Sequence, residues 1–157
     1  MNKIDTKSWK EFKIEDLFYV TLPTGDLQAQ KLNEGNIPLV SSGKINNGIC
    51  KYISEEIDEK IIDENTLTVD MFGKVFFHSY KYYAVSHGRV NILIPKQPVN
   101  QYQGLYISRI IELITLPKYS FSEMCSSNKL KKEIIYLPSN DFGNPDFEYM
   151  ERYMKNL

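Results

Sequence analysis

Four short runs crowd between residues 66 and 94: Thr66–Met71, Lys74–Ser79, Tyr82–Ser86 and Val90–Ile94. They are rich in β-branched and aromatic residues and are punctuated by turn residues, among them Gly73 and Gly88, so they read as a close series of strands. Two further strands precede them, Ile37–Ser41 and Ile49–Ile53. The Asn46-Asn47-Gly48 turn between these two favours positive φ, so Lys44 to Gly48 should project as a tip. At the start of the chain, Trp9 to Val20 reads as a short strand and then one helical turn, with Trp9, Phe12, Ile14, Leu17 and Phe18 available to a core. The polar stretch 24–35 reads as a loop with one turn of helix, and the acidic run 55–64 as a solvated face or loop.

The pattern changes after Pro95 and Pro98. Leu105, Ile107, Ile110, Ile111 and Ile114 recur at helical spacing, with Asn100 placed to cap the helix. Lys118 to Pro138 returns to strand-like material around a polar loop at Cys125–Lys129. A final helix is expected from Asn144 as cap and Pro145 as first helical residue, with Asp146 and Glu148 at the positive end of the dipole. Phe147, Met150, Met154 and Leu157 form a seam of coiled-coil type on it. So short a helix rarely stands alone in water. It either packs on its own domain or continues in a partner or in a longer parent chain. The class that follows is α+β.

The 157 residues suit one domain with a real core, and a composition 42% hydrophobic and 25% charged is that of a globular chain. No run of apolar residues is long enough for a membrane span, and the N-terminus lacks a signal-peptide core. Cys50 and Cys125 make neither a disulfide framework nor a zinc-type pair; they read as two buried free thiols in a reducing cytoplasm. His78 and His87 form no zinc-hydrolase pattern, and there is no phosphate-binding or dinucleotide-binding glycine loop and no nucleophile elbow. No cofactor is expected in this chain. A metal nuclease would have only Asp63, Asp70 and Lys74 to draw on, and a Cys125–His87 pairing has nothing specific behind it.

Charge is unevenly spread. Residues 70–132 hold 9 Lys or Arg against 3 acids, a local charge of +6, while the flanking segments are acidic and the whole chain carries −1. In that basic middle Lys74, Ser79, Lys81, Ser86, His87 and Arg89 fall on two neighbouring turns, interleaved with Phe and Tyr. These are phosphate-contacting and base-reading residue types. Lys44, Asn46 and Asn47 add the projecting tip, and Ser127, Asn128 and Lys129 the polar loop. Together these twelve are the candidate DNA contacts, and Phe147, Met150, Met154 and Leu157 the candidate partner or dimer helix.

Four elements in order carry a family resemblance: Trp9…Phe12-Lys13-Ile14…Asp16-Leu17-Phe18; Ile37-Pro38-Leu39-Val40-Ser41-Ser42-Gly43; Leu67 to Phe76; and Lys132 to Pro138 followed by Gly143-Asn144-Pro145-Asp146-Phe147…Met150…Tyr153. With these the whole chain resembles one target-recognition half of a type I restriction–modification specificity subunit. The resemblance implies a curled, mostly-β α+β domain with one or two packed helices over residues 1–143, and the start of a spacer helix over 144–157. It implies reading of one half of a split double-stranded DNA site in the major groove. Partners would be the methyltransferase (M) and restriction (R) subunits, which would carry the adenine methylation and the cleavage. A second copy of this chain is a further candidate partner, and no membrane is expected. Three origins stay open: a fragment, a half-subunit that dimerises, or a domain of a similar fused type II enzyme. The contact loops vary among such domains, so the site residues rest on the reading of residue types alone. A protein-interaction scaffold without DNA, or the metal nuclease, is the alternative.

Overall fold

The computed structural model describes residues 8–24, 27–56, 58–85 and 90–157. Their centre is a four-stranded antiparallel sheet in the order β2-β8-β5-β6, made of β2 (Phe18–Thr21), β5 (Thr66–Asp70), β6 (Val75–His78) and β8 (Val90–Pro95). Strand β5 lies inside this sheet, and all five of its residues are buried. Its side chains alternate. Leu67 and Val69 join the main apolar core, while Thr66, Thr68 and Asp70 face the other way and are buried polar groups.

The long helix α2 (Gln101–Lys118) covers the apolar face. Asn100 caps it as expected, in a reciprocal arrangement: its side chain accepts from the Gln103 amide while the Gln103 side chain accepts from the Asn100 amide, both at 3.0 Å. Tyr106, Ile107 and Ile111 of α2 pack on Phe77, Leu67 and Val69 in one core. The helix comes very close to β6 at Gly104, where an added Cβ would stand 2.2 Å from the Phe77 ring. Only a glycine admits the aromatic side chain there.

The opposite face of the sheet meets a smaller sheet, ordered β4-β3-β7, of β3 (Glu34–Val40), β4 (Ile49–Ile53) and β7 (Tyr83–Ala84), with β3 and β7 parallel. Val40, Tyr82, Ala84, Val90 and Ile92 fill the space between the two sheets. A third pairing, β1 (Trp9–Lys13) with β9 (Ile134–Pro138), sets the two ends of the domain side by side. One helical turn, α1 (Ile14–Leu17), then turns the chain into β2, and Ile14 is fully buried. A central sheet with α2 on one face and the smaller sheet on the other, flanked by the β1–β9 pair, gives the expected α+β class.

Three local expectations are corrected. The Cys125–Lys129 segment is not a loop throughout, because Ser126 accepts from the Lys129 amide and caps α3 (Ser127–Lys131), whose Leu130 is buried. The final helix, α4 (Phe147–Lys155), starts at Asp146, which accepts from the Tyr149 amide at 3.0 Å. Asn144 cannot serve as cap, since its backbone is held in a turn whose Asn140 carboxamide accepts from the Asn144 and Phe142 amides. Finally, Cys125 is buried but Cys50 is exposed, because it lies on the outward face of β4.

Of the α4 seam, expected as a partner or dimer surface or as packing on its own domain, three residues pack on the domain itself. Met150 is fully buried in the core, with Phe147 and Met154 packed against it, while Leu157 is 82% exposed. Asn100 and Gln103 of α2 donate to Glu151 and to the Phe147 carbonyl, which ties α4 to its own domain. A nine-residue helix gains its stability from such packing.

Alanine at position 104 should destabilise the domain by about 1–3 kcal/mol through overpacking against Phe77, despite the better helix propensity of alanine. Urea unfolding would show this as a lower midpoint at unchanged slope.

Candidate nucleic-acid interface

The tip between β3 and β4 is built from three successive residues with positive φ: Asn46 (54°), Asn47 (53°) and Gly48 (73°). Asparagine and glycine tolerate this region best, which is why the sequence turns so sharply there. The Ser41 amide donates to the Gly48 carbonyl at 2.8 Å and closes the base of the loop. Lys44, Ile45, Asn46 and Asn47 are left exposed, with Ile45 at 81%.

A buried carboxylate holds this region together. Asp70, at the end of β5, accepts at its carboxylate from the Phe72 and Lys74 amides at 2.9 Å each, and at its backbone carbonyl from the Gly73 amide at 3.1 Å. Burial pushes its carboxyl above the usual carboxylate range, against the pull of those amides. The same polar row of β5 anchors the next turn. The Thr68 hydroxyl lies 2.8 Å from Nε2 of the fully buried His78, whose Nδ1 lies 2.9 Å from the Tyr80 hydroxyl. Asn47 in turn donates from Nδ2 to that hydroxyl at 3.3 Å. Burial lowers the His78 pKa to about 4, so the imidazole is neutral at physiological pH.

Across from the tip, α2 contributes Glu112, which is 7% exposed. Its carboxylate accepts from Lys74 Nζ at 3.2 Å, from Arg109 Nη1 at 3.1 Å and from the Val75 amide at 3.1 Å. One carboxylate thus gathers two cations and leaves the cluster net positive, with Arg109 64% exposed. Asn47, Lys74, Ser79, Gln101, Leu105 and Arg109 line an open groove of about 400 Å³ between tip and helix.

Residues 6–157 match the family of type I restriction modification DNA specificity domains. The chain belongs to that family. The specificity subunit S.BcgI of a type II restriction enzyme of Heyndrickxia coagulans is 31% identical over 153 residues, which are 96% of this chain. The fold is shared with the type I restriction–modification S subunit from M. genitalium, at a TM-score of 0.69 and 12% identity over 95% of this chain. It is shared also with the HsdS subunit from Thermoanaerobacter tengcongensis, at 0.64 and 13% over 98%. The chain spans 43% of the S.BcgI subunit and 38% of each of those two structures.

Within this specificity domain the expected site residues separate. Lys44, Asn46, Asn47, Lys74 and Ser79 lie together around the tip and groove. Ser86, His87 and Arg89 lie outside the described residues. Lys81 stands past the far end of β6, 3.9 Å from Asp63. Ser127, Asn128 and Lys129 are on α3, which packs on α1 and β2, and Lys129 donates to Glu123 at 2.6 Å. Helix α3 packs at the β2 edge of the central sheet and the tip at the β6 edge, three strand spacings or about 14 Å away.

The basic middle is therefore scattered rather than gathered: Lys118 is spent on Glu133 and Lys129 on Glu123. The nuclease grouping fails on geometry. Asp63 precedes β5 and Asp70 ends it, Asp70 is occupied by backbone amides, and Lys74 is paired with Glu112. Among the described residues no acidic, His or Cys cluster could hold a metal ion. Arg109, Tyr80 and Glu112 were missing from the sequence reading. A signal for two of them exists: Gln101, Ser108, Arg109 and Glu112 fall on one face of the helix, with Glu112 four residues after Ser108 and three after Arg109, a polar strip beside the apolar face.

His78 makes a testable contribution to acid stability. The unfolded chain takes up its proton near pH 6.5, the folded one only near pH 4, so between these values the unfolded state binds more protons. Stability should fall with pH across that window, by on the order of 3 kcal/mol. Tyr80 and Tyr82 face His78 and stay uncharged there, since burial raises both. Denaturant midpoints measured from pH 7 to pH 4 should show a marked loss for the wild type and a much smaller one for His78→Asn.

Proposed function

We propose that this domain reads double-stranded DNA by sequence, as a recognition domain of a restriction–modification specificity subunit. The observation that carries the reading is the convergence of a rigid, amide-bearing tip with the Lys74–Arg109 pair across one groove. Cations of this kind hold phosphates without regard to sequence, while side-chain amides on a projecting loop can read base edges in the major groove.

The relatives are more than twice as long as this chain and have room for two such domains, which supports reading of one half of a bipartite site. On this reading methylation and cleavage belong to M and R subunits, and this chain contributes specificity with no cofactor and no catalytic centre of its own. The terminal helix α4 would lead into a spacer that sets the distance between two recognition domains, from a second half or a second copy. Among the described residues no helix is long and apolar enough to cross a membrane. That and the two free thiols favour a cytoplasmic site of action.

Gel shift with salt titration tests the reading. Affinity should fall steeply as salt rises, because each phosphate contact releases counterions. Arg109→Ala should weaken binding to every duplex alike and reduce the salt slope by about 1. Binding that ignores salt, or none at low salt, would refute DNA recognition by this domain.

A further inference from the structure

The tip carries two asparagines, and they are held differently. Asn46 turns its carboxamide back on the loop, with Nδ2 donating to the Ile49 carbonyl at 3.4 Å. Asn47 reaches 33 residues along the chain to Tyr80. Behind Tyr80 stand His78 and then Thr68 of the buried central strand, each contact no longer than 2.9 Å. Tyr80 and Tyr82 also pack on the His78 ring, with centroids 5.5 and 4.4 Å away.

The donor count gives this chain of contacts a direction. Asn47 Nδ2 can only donate, so the Tyr80 oxygen accepts there and its hydrogen is free for Nδ1 of His78. The neutral imidazole then keeps its proton on Nε2 and donates to Thr68. A carboxamide has two N–H groups and one oxygen. With one N–H spent on Tyr80, Asn47 still presents one donor and one acceptor side by side. That is the complement of the major-groove edge of adenine, which offers N7 as acceptor and the N6 amine as donor.

Resting on the DNA-reading proposal above, we infer that Asn47 is an adenine-reading residue and that Tyr80, backed by His78 and Thr68, is the positioning residue that orients its carboxamide. Preorganisation explains why a polar relay is built into a sheet interior: an exposed asparagine free to rotate would spend part of its binding energy on being ordered. It also separates the two parts of the groove. Lys74 and Arg109 supply affinity, and the relay supplies discrimination.

The test uses the full chain and begins with affinity selection from randomised duplexes. Wild type, Tyr80→Phe and Asn47→Ala are then compared on the selected duplex, on random duplex, and on selected duplexes in which single adenines are replaced by 7-deazaadenine. Tyr80→Phe keeps the ring against His78 and removes only the hydroxyl; with Nδ1 of the buried His78 left unpaired the melting temperature should fall by about a few degrees, so binding is compared well below the transition. The variant's preference for selected over random duplex should fall by about 3- to 10-fold, with affinity for random duplex unaltered. Asn47→Ala, on an exposed loop, should lose about 5- to 150-fold in preference, the range for a bidentate base contact. One adenine position should exist where 7-deazaadenine weakens the wild type and leaves Asn47→Ala unaffected. If Tyr80→Phe discriminates as well as the wild type, the positioning role is wrong. If no adenine replacement separates wild type from Asn47→Ala, the reading role is wrong. If the wild type selects no sequence at all, the DNA-reading proposal itself fails and takes this inference with it.

Discussion

The structure turns on the polar row of its central strand. Thr66, Thr68 and Asp70 are each no more than 5% exposed, yet they occupy a face that most sheets fill with aliphatic side chains. Buried polar groups are costly unless bonded, and each of these is. Thr66 holds the Tyr82 hydroxyl, Thr68 holds His78, and Asp70 holds the turn at Phe72–Lys74. One rigid strand thereby supports the turns at both ends of β6, which carry Lys74 and Ser79 of the groove. The arrangement resembles the support that binding residues on loops need from a rigid scaffold.

Helix α2 plays the complementary part on the other face. Its close approach at Gly104 and the Thr115 hydroxyl bond to the Gly73 carbonyl, at 2.6 Å, lock it to β6 and to the turn before it. That fixed distance is what allows Glu112 to span from helix to strand. A buried carboxylate with two cations and a backbone amide around it is satisfied electrostatically, and the cations it gathers remain partly open to solvent. The contact that joins helix to sheet thus also sets Lys74 and Arg109 side by side at the groove.

Much of this was legible in the linear pattern. The strands over 37–94, the Asn100 cap and the Lys44–Gly48 tip follow from alternation and from residues with special backbone preferences, and these are local properties. The α4 start was misplaced by two residues because Asn144 is recruited by Asn140, a competition among neighbours that residue preference alone does not rank. The α3 segment reads as loop because a short polar helix shows almost no periodicity. Arg109 escaped because it sits on a helix judged for its apolar face, and Tyr80 because a tyrosine in a tyrosine-rich run reads as core.

The sequence alone determines the class, the number of strands along the central stretch, the sharp tip and the membership of a specificity family, since each rests on spacing and residue type along one segment. Only the tertiary structure decides which cations belong together. Lys74 and Arg109 are far apart in sequence but share Glu112, whereas Lys81 and Lys129 lie in the same basic stretch and end up away from the groove. Packing does this: α2 lies against β6 and brings Arg109 to Lys74, Lys81 follows β6 at its opposite end, and α3 carries Lys129 to the β2 edge of the central sheet.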